Sequence, residues 1–393
     1  VFAQTNVSGN QSGTWTSNNS PYQVTGDVTV PTGQTLTIEP GVEVNFQGYF
    51  RFYVNGNLQA IGTEDSMILF TTDTPATGWG GLRVDTSDTI RLEYCRIEHG
   101  SALGSEYPDY HGGAMALLGS NATVRDCIFA DNEAHDPDNE LGMGGAVYSI
   151  GSTATVFSDC LFIRNHCYGE GGAIELSGDY DTVIENCEFI ENTCNYGGGA
   201  VTGYMVDGTI IRGSTFIDNY TMYSNGGAIQ IYGMGNLLYI TNCTMTGNSA
   251  VTGDGGAVNL AYATAYLVNT IVYDNPGTYS DDVHVDWSAT AEIYYSNLPM
   301  PDGATGDHNI DADPLFVDAA NHDVNLQGTS PCIDAGVAYQ ESTGGAILVD
   351  LEPSQYQGSA PDIGAREYGL EGAEIFADGF ESGGTSMWSV TSP

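Results

Sequence analysis

The sequence contains no lysine, and its 393 residues hold eight arginines against 50 aspartates and glutamates, a formal net charge of −42. Nucleic acids and anionic membrane surfaces are bound through clustered cations, so the composition excludes both as expected partners. There is also no apolar run of 18 residues, which excludes a membrane-spanning helix. The hydrophobic fraction of 41 % is nevertheless too high for an acidic disordered tail. The charge implies counter-cations that limit self-repulsion.

A helical period is lacking too, and two short motifs repeat in its place. The first reads Asx-Cys-x-Phe-x-x-Asn around Cys127, Cys160, Cys187 and Cys243 (the last copy has Met245 for phenylalanine), with relaxed copies at residues 214–219 and 270–275. The second reads Gly-Gly-Ala-apolar, with its alanine at Ala114, Ala146, Ala173, Ala200, Ala228 and Ala257. The motifs interleave with a period of 27 to 33 residues, which is typical of a solenoid or array.

Alternation within each motif predicts which solenoid it is. Cys187 and Phe189 are expected to point inward and Glu188 outward, as in a short strand. Short strands that pair with their counterparts one repeat later give a parallel β-helix, whereas propeller blades need about 40 residues or more. Asparagines recur at one corner and are expected to hydrogen-bond along the stack: Asn132, Asn165, Asn192, Asn219, Asn248 and Asn275.

The sequence divides into four expected parts. Residues 1–20 are a lead-in or cap, and their first three residues look like the end of a signal peptide. Residues 21–300 form the β-helix, with about ten rungs and a length of roughly 50 Å. An irregular C-terminal module spans residues 301–370, and a tail follows at 371–393.

Two sets of motifs carry a family resemblance. Residues 24–84 resemble the opening coils of secreted bacterial right-handed β-helix proteins, on Thr-Ile-Glu-Pro-Gly-Val at 37–42 and Ala-Ile-Gly-Thr-Glu-Asp at 60–65. Residues 309–317, 330–336 and 361–368 resemble the choice-of-anchor type of C-terminal module, departing from it at 350–353. The resemblance implies a right-handed coil, secretion or surface display in a bacterium, and a family in which most members have no established enzymatic activity.

Two neighbouring repeats carry longer loops at one corner. The cysteine-to-alanine spacing is 19 residues after Cys95 and Cys127 and 13 or 14 in later copies. Such insertions map to one face of a solenoid, often its binding face. Their hard oxygen ligands suit Ca²⁺, although a solvated acidic loop is the simpler explanation: Glu106, Asp109, Asp136, Asp138, Asn139 and Glu140. No organic cofactor is expected.

Catalysis is the sharper hypothesis for the same region. Glycoside hydrolysis uses two carboxyl groups about 5 to 10 Å apart, and stacked rungs supply such pairs among Asp109, Asp138, Glu140 and Glu170. Tyr168, Tyr196 and Tyr223 precede Gly-Gly turns and are candidates for stacking on sugar rings, with ladder packing as the favoured alternative. The repeats offer no cluster of cations for polyuronate elimination.

Cys167 and Cys194 each follow a repeat cysteine by seven residues, so they are expected one rung apart, within reach of a disulfide in an oxidising compartment. The leading hypothesis is a secreted structural or adhesive surface protein that self-associates with help from cations, and is not an enzyme. The alternative is a carbohydrate-binding or carbohydrate-active β-helix, a polysaccharide hydrolase or lyase, that uses residues 99–111 and 133–143. The partner is accordingly a second copy or an extracellular polysaccharide.

Overall fold

The computed structural model describes residues 4–104, 107–136, 141–278, 280 and 282–369, and their strands coil into a parallel β-helix. Each rung contributes strands to three faces, and strands pair in parallel with their counterparts one rung later. The two-residue period of each strand places one side chain in the core and the next outside. No helix within these ranges is long and apolar enough to cross a membrane.

The front sheet contains the strands that follow the Gly-Gly turns and is continued at its two ends by strands without that motif. Its strands are Phe52–Val54, Leu82–Val84, Met115–Leu118, Val147–Ile150, Ile174–Ser177, Val201–Tyr204, Ile229–Tyr232, Val258–Leu260 and Val283–Val285. Successive strands keep the same register, so residues at equivalent strand positions form columns along the sheet: Tyr148 lies opposite Glu175, and Glu175 opposite Thr202.

The cysteine sheet is named for those of its strands that contain or directly follow a repeat cysteine. Its strands are Glu43–Phe46, Ile68–Thr72, Cys95–Glu98, Ile128–Ala130, Leu161–Ile163, Glu188–Ile190, Thr215–Ile217, Thr244–Thr246 and Ile271–Tyr273. Two strands, Thr5–Asn10 and Tyr22–Val30, continue through both the front and the cysteine sheet.

The back sheet closes the coil. Its strands are Gly13–Trp15, Thr35–Ile38, Asn57–Ile61, Ile90–Glu93, Ala122–Arg125, Val156–Ser158, Val183–Glu185, Thr209–Arg212, Asn236–Thr241, Ala263–Val268, Thr290–Tyr294 and Ala304–Thr305. A smaller corner sheet contains Ser101–Leu103, Glu133–His135, His166–Cys167, Thr193–Cys194, Tyr220–Thr221 and Ser249–Ala250. Short 3₁₀ helices occupy Ser17–Asn19 and Ala319–Asn321.

The predicted asparagine ladder is present at the corner between the cysteine and corner sheets. The Asn165 Nδ2 donates to the Asn192 Oδ1 at 2.9 Å, and the same bond recurs from rung to rung along the column. The ladder ends at Asn275, whose Nδ2 donates to the Asp282 Oδ1 at 2.9 Å. A carboxylate accepts hydrogen bonds without having to donate one, so it is a suitable last acceptor for the column.

The coil extends further toward the N-terminus than the sequence predicts. Residues 5–15, expected to be part of a lead-in, form strands paired with Tyr22–Val30 and Thr35–Ile38. Val7 and Trp15 point into the core there. The many asparagines, serines and threonines of this segment obscure the alternation of apolar and polar residues that would mark a strand. Its backbone N–H and C=O groups still form hydrogen bonds with the strands of the next rung. The described back sheet accordingly has twelve strands, against about ten expected rungs.

The C-terminal module begins at the end of the coil and then folds back along its side. Leu326, Cys332 and Ile363 are buried against Ile271 on the outer face of the cysteine sheet. Nearer the N-terminus of that face, Arg366 forms an ion pair with Glu188. The regular structure of the module is two antiparallel pairs, Phe316–Asp318 with Asp323–Leu326 and Tyr339–Glu341 with Ile347–Asp350.

Candidate functional site on the front sheet

The predicted calcium and catalytic residues are only partly within the described structure. Glu106, Asp138, Asn139 and Glu140 lie outside the described residues. The Asp109 Oδ2 pairs with the Arg51 Nη2 at 3.0 Å, while Asp136 is buried. Within the described ranges, no three His, Cys, Asp or Glu side chains are grouped to hold a metal ion. Calcium binding stays a prediction.

The three tyrosines proposed for sugar stacking do not form one strip. Tyr168 stacks on His135, with ring centroids 3.9 Å apart. Tyr196 and Tyr223 are exposed neighbours on successive rungs, with centroids 5.8 Å apart. An aromatic surface of two rings is therefore present here, and Tyr168 belongs to a different contact.

Cys167 and Cys194 lie opposite each other in the corner sheet. Both are buried and both are thiols in this structure. The expected positions one rung apart are thus observed, while the disulfide between them stays a prediction.

The functional feature that the sequence analysis missed is a column of outward-facing residues along the front sheet. Each is the second residue of its strand, and the column runs in register from Tyr53 and Arg83 through Ala116 to Tyr148, Glu175 and Thr202. The polar side chains of Arg83, Tyr148, Glu175 and Thr202 are buried although they point away from the core. The signal was the residue after each Gly-Gly-Ala-apolar motif, which is polar and varied in every copy except the first, where it is Ala116.

Glu175 in this column lies near a second carboxyl group, that of Glu170, which precedes the Gly-Gly turn. The Glu175 side chain is 1 % exposed, and its Oε2 has no hydrogen-bond partner. Burial raises the pKa of Glu175 well above its ordinary value, and the nearby Glu170 raises it further. Burial also raises the pKa of Glu170, but a hydrogen bond from Tyr232 opposes that rise. We call Glu170 and Glu175 the carboxyl pair.

The absence of a side chain at Gly197 leaves space for the Glu170 side chain on the neighbouring rung. The Glu170 Oε2 accepts a 2.6 Å hydrogen bond from the hydroxyl of Tyr232, which lies two front-sheet strands further on. Gly197 stands between them, and a Cβ there would lie 2.8 Å from the Glu170 Cβ and 2.6 Å from the Thr202 Oγ1. Any larger residue at position 197 would therefore displace the carboxylate.

Exposed aromatic side chains continue from the carboxyl pair along the ends of the front-sheet strands. The Tyr204 and Tyr232 rings are 5.0 Å apart, and those of Tyr262 and Trp287 are 6.3 Å apart. Tyr204, Tyr262 and Trp287 are 39 %, 50 % and 88 % exposed. We call these four residues the aromatic row. Flat aromatic faces open to solvent are suited to stacking on sugar rings.

Comparison with known proteins agrees with this architecture. A family model described as a right-handed beta helix region matches residues 5–170. The chain is a right-handed parallel β-helix. A search of curated proteins finds no match.

Three solved structures similar to the chain are polysaccharide lyases. Pectate lyase Pel9A has 17 % identity and a TM-score of 0.49, over 91 % of this chain and 86 % of its own. The PL6 family alginate lyase AlyGC has 10 % identity and a TM-score of 0.29, over 87 % and 56 %. A mannuronic acid specific polysaccharide family 6 lyase from human gut microbiota has 12 % identity and a TM-score of 0.19, over 70 % and 86 %.

Proposed function

We propose that this protein binds an extended polysaccharide along the aromatic row and hydrolyses it at the carboxyl pair. The observation that carries the proposal is the hydrogen bond between Tyr232 and Glu170, because it joins a member of the aromatic row to a member of the carboxyl pair. A polymer stacked on the row would therefore run along the coil axis and pass the two carboxyl groups.

The environments of the two carboxyl groups assign their roles. Burial and the nearby Glu170 raise the pKa of Glu175 well above its ordinary value, which suits a general acid. Burial also raises the pKa of Glu170, but the hydrogen bond from Tyr232 opposes that rise and favours the ionised form that a base needs. In the proposed reaction the Glu175 proton passes to the glycosidic oxygen as the bond to the anomeric carbon breaks. Water adds to that carbon and gives its proton to Glu170.

Charge limits the sugar unit that occupies the cleavage position. A carboxyl pair inside a chain of net charge −42 repels a second anion, so the unit between Glu170 and Glu175 is expected to be uncharged. Elimination from a uronate at that position would need a cation beside its carboxylate. The carboxyl groups that raise the pKa of Glu175 are instead acidic residues, Glu170 and Asp179.

The test is a panel of soluble polysaccharides, followed by reducing-end release with the wild-type chain and two single variants. Glu170→Gln and Glu175→Gln are each expected to reduce cleavage at least a hundredfold. The matched control is Glu64→Gln, an exposed position away from the front sheet, which should cleave at the wild-type rate.

Binding is measured separately. Trp287→Ala and Tyr204→Ala should each weaken binding of the same polymer about tenfold or more. Stacking of a ring on an aromatic side chain contributes on the order of 1 to 3 kcal/mol in the comparable case of nucleic-acid bases. If no polymer is cleaved, or if both glutamine variants cleave as well as the wild type, the proposal fails. The structural or adhesive surface role would then again be the leading hypothesis, with self-association as its first measurement.

A further inference from the structure

Two arginines lie together at the N-terminal end of the front sheet. Arg83 lies opposite Tyr53 in the outward column, and Arg51 directly precedes the strand Phe52–Val54 on the previous rung. Each is a cation in a chain that has eight arginines and no lysine. Their mutual repulsion is one of the influences that lower the pKa of Arg83. Two of the few cations are therefore held side by side.

Arg83 is buried without enough acceptors for its donors. Its side chain is 3 % exposed, and its Nη1 donates to the backbone oxygens of Gly112 at 2.8 Å and Leu82 at 3.1 Å. Its Nε and Nη2 are buried and have no hydrogen-bond partner. The Nε of Arg51 is also buried without a partner. Buried donors are normally satisfied, so this set lacks an acceptor.

The surroundings supply further donors but little negative charge. Burial lowers the pKa of Arg83 to about 10, so the guanidinium remains charged at neutral pH. The His111 Nδ1 accepts a bond from the Met143 N–H at 3.0 Å, which leaves the proton on its Nε2. Burial and Arg83 lower the pKa of His111 to about 3, so the ring is neutral.

Asp109 is an anion that pairs with one of the two arginines, Arg51. Its carboxylate is 3.0 Å from the Arg51 Nη2, and the two side chains are 33 % and 19 % exposed. It pairs with Arg51 and leaves the Nε and Nη2 of Arg83 without an acceptor.

We propose that Arg83 and Arg51 form a binding site for a small oxyanion of the carboxylate or sulfate class, with Asp109 as an internal competitor for Arg51. A guanidinium presents parallel donors that match the two oxygens of such a group. The site lies three rungs from Glu175, about 14 Å along the coil at the strand spacing of a sheet. It does not depend on cleavage at the carboxyl pair, and its test measures binding alone.

The experiment is titration calorimetry at fixed ionic strength with glucuronate, glucose 6-sulfate and, as the uncharged control, glucose. At least one of the two anions should bind, glucose should not, and the tighter anion identifies the class. Asp109→Asn removes the competitor and should tighten binding about tenfold, whereas Arg83→Gln should weaken it about tenfold or more. Arg91→Gln, at an exposed side chain of the back sheet, should change nothing.

A second variant keeps the test informative if Arg83→Gln does not fold. Arg51→Gln retains the backbone contacts of Arg83 and should also weaken binding. A label on the arginine Nε atoms gives a direct readout, since the Arg83 resonance should shift on titration in the wild-type chain. The proposal is overturned if neither anion binds the Asp109→Asn variant. It is equally overturned if both arginine substitutions leave the affinity unchanged.

Discussion

Tyr232 lies 62 residues after Glu170, yet its phenol donates a 2.6 Å hydrogen bond to the Glu170 Oε2. The bond spans two front-sheet strands and crosses the open side of Gly197. It opposes the rise that burial causes in the pKa of Glu170. The pKa of the proposed base, Glu170, is thus influenced by a residue from a different repeat.

Tyr232→Phe should raise the pKa of Glu170, because a hydrogen bond to an ionised carboxylate favours the charged form and its removal favours the neutral form. The acidic limb of the cleavage profile should therefore move to higher pH. Carboxyl titration by NMR should show the same direction of change. Tyr204→Phe is the control, since it keeps a neighbouring ring and the Tyr232 hydroxyl. An unchanged limb and titration would contradict the assigned role.

Gly197→Ala should displace Glu170 and lose both cleavage and stability. The added Cβ would lie within 2.8 Å of the Glu170 side chain, and φ is +76°. Gly235→Ala is the matched control, since φ is +87° but no atom lies within 4 Å of its added Cβ. Both variants carry backbone strain of about 1 kcal/mol or more. Urea unfolding should therefore show a larger loss for Gly197→Ala, and equal losses would refute the steric argument.

The coil was predictable because its strongest signals are local and repeated. The residues predicted to point inward, Ile174, Leu176, Cys187 and Phe189, lie in the core, and the asparagine column is present. The outward residues between them, Glu175 and Glu188, are nevertheless buried. Because the same motif recurs in successive rungs, the prediction of the fold does not depend on any single copy.

The candidate site was less predictable because its contacts cross rungs. Nothing near Glu170 in the sequence points to Tyr232, since rung lengths vary and the contact passes over a glycine. The Arg51–Arg83 pair lies before the regular motifs begin, where only the Gly-Gly pair ahead of Leu82 marks the front sheet. Emphasis on the longer loops directed attention to Asp109, which proves to be the partner of Arg51.

Asn192→Ala should destabilise the coil by about 2 to 4 kcal/mol, because it leaves buried partners on both neighbouring rungs without their bonds. The Asn192 side chain accepts from Asn165 and donates to Asn219, both at 2.9 Å. Asn6→Ala, at an exposed side chain on the first rung, is the control and should change stability by less than about 0.5 kcal/mol. Urea unfolding monitored by circular dichroism measures the free energy of unfolding of both variants. Equal losses in the two variants would contradict a stabilising role for the asparagine ladder.

His322 connects the C-terminal module to the coil through carboxylates. Its Nε2 lies 3.1 Å from the Asp218 Oδ2 and 3.9 Å from the Glu191 Oε1, on the face where Arg366 pairs with Glu188. The hydrogen bond to Asp218 is the main cause that raises the pKa of His322, and burial opposes it. The imidazolium is therefore more favourable in the docked module than in the unfolded chain.

The sign of the pH effect follows from that shift. A histidine whose pKa is raised on folding contributes its full stabilisation below the unfolded value of about 6.5 and loses it as pH rises through the folded value. The difference in Tm between the wild type and His322→Gln should therefore be largest near pH 5 and shrink toward pH 8.5. His308→Gln, at a histidine of the same module that is 59 % exposed, is the control and should show a smaller difference. A wild-type advantage that grows with pH would mean that His322 docks as the neutral ring and that the contact with Asp218 does not hold the module.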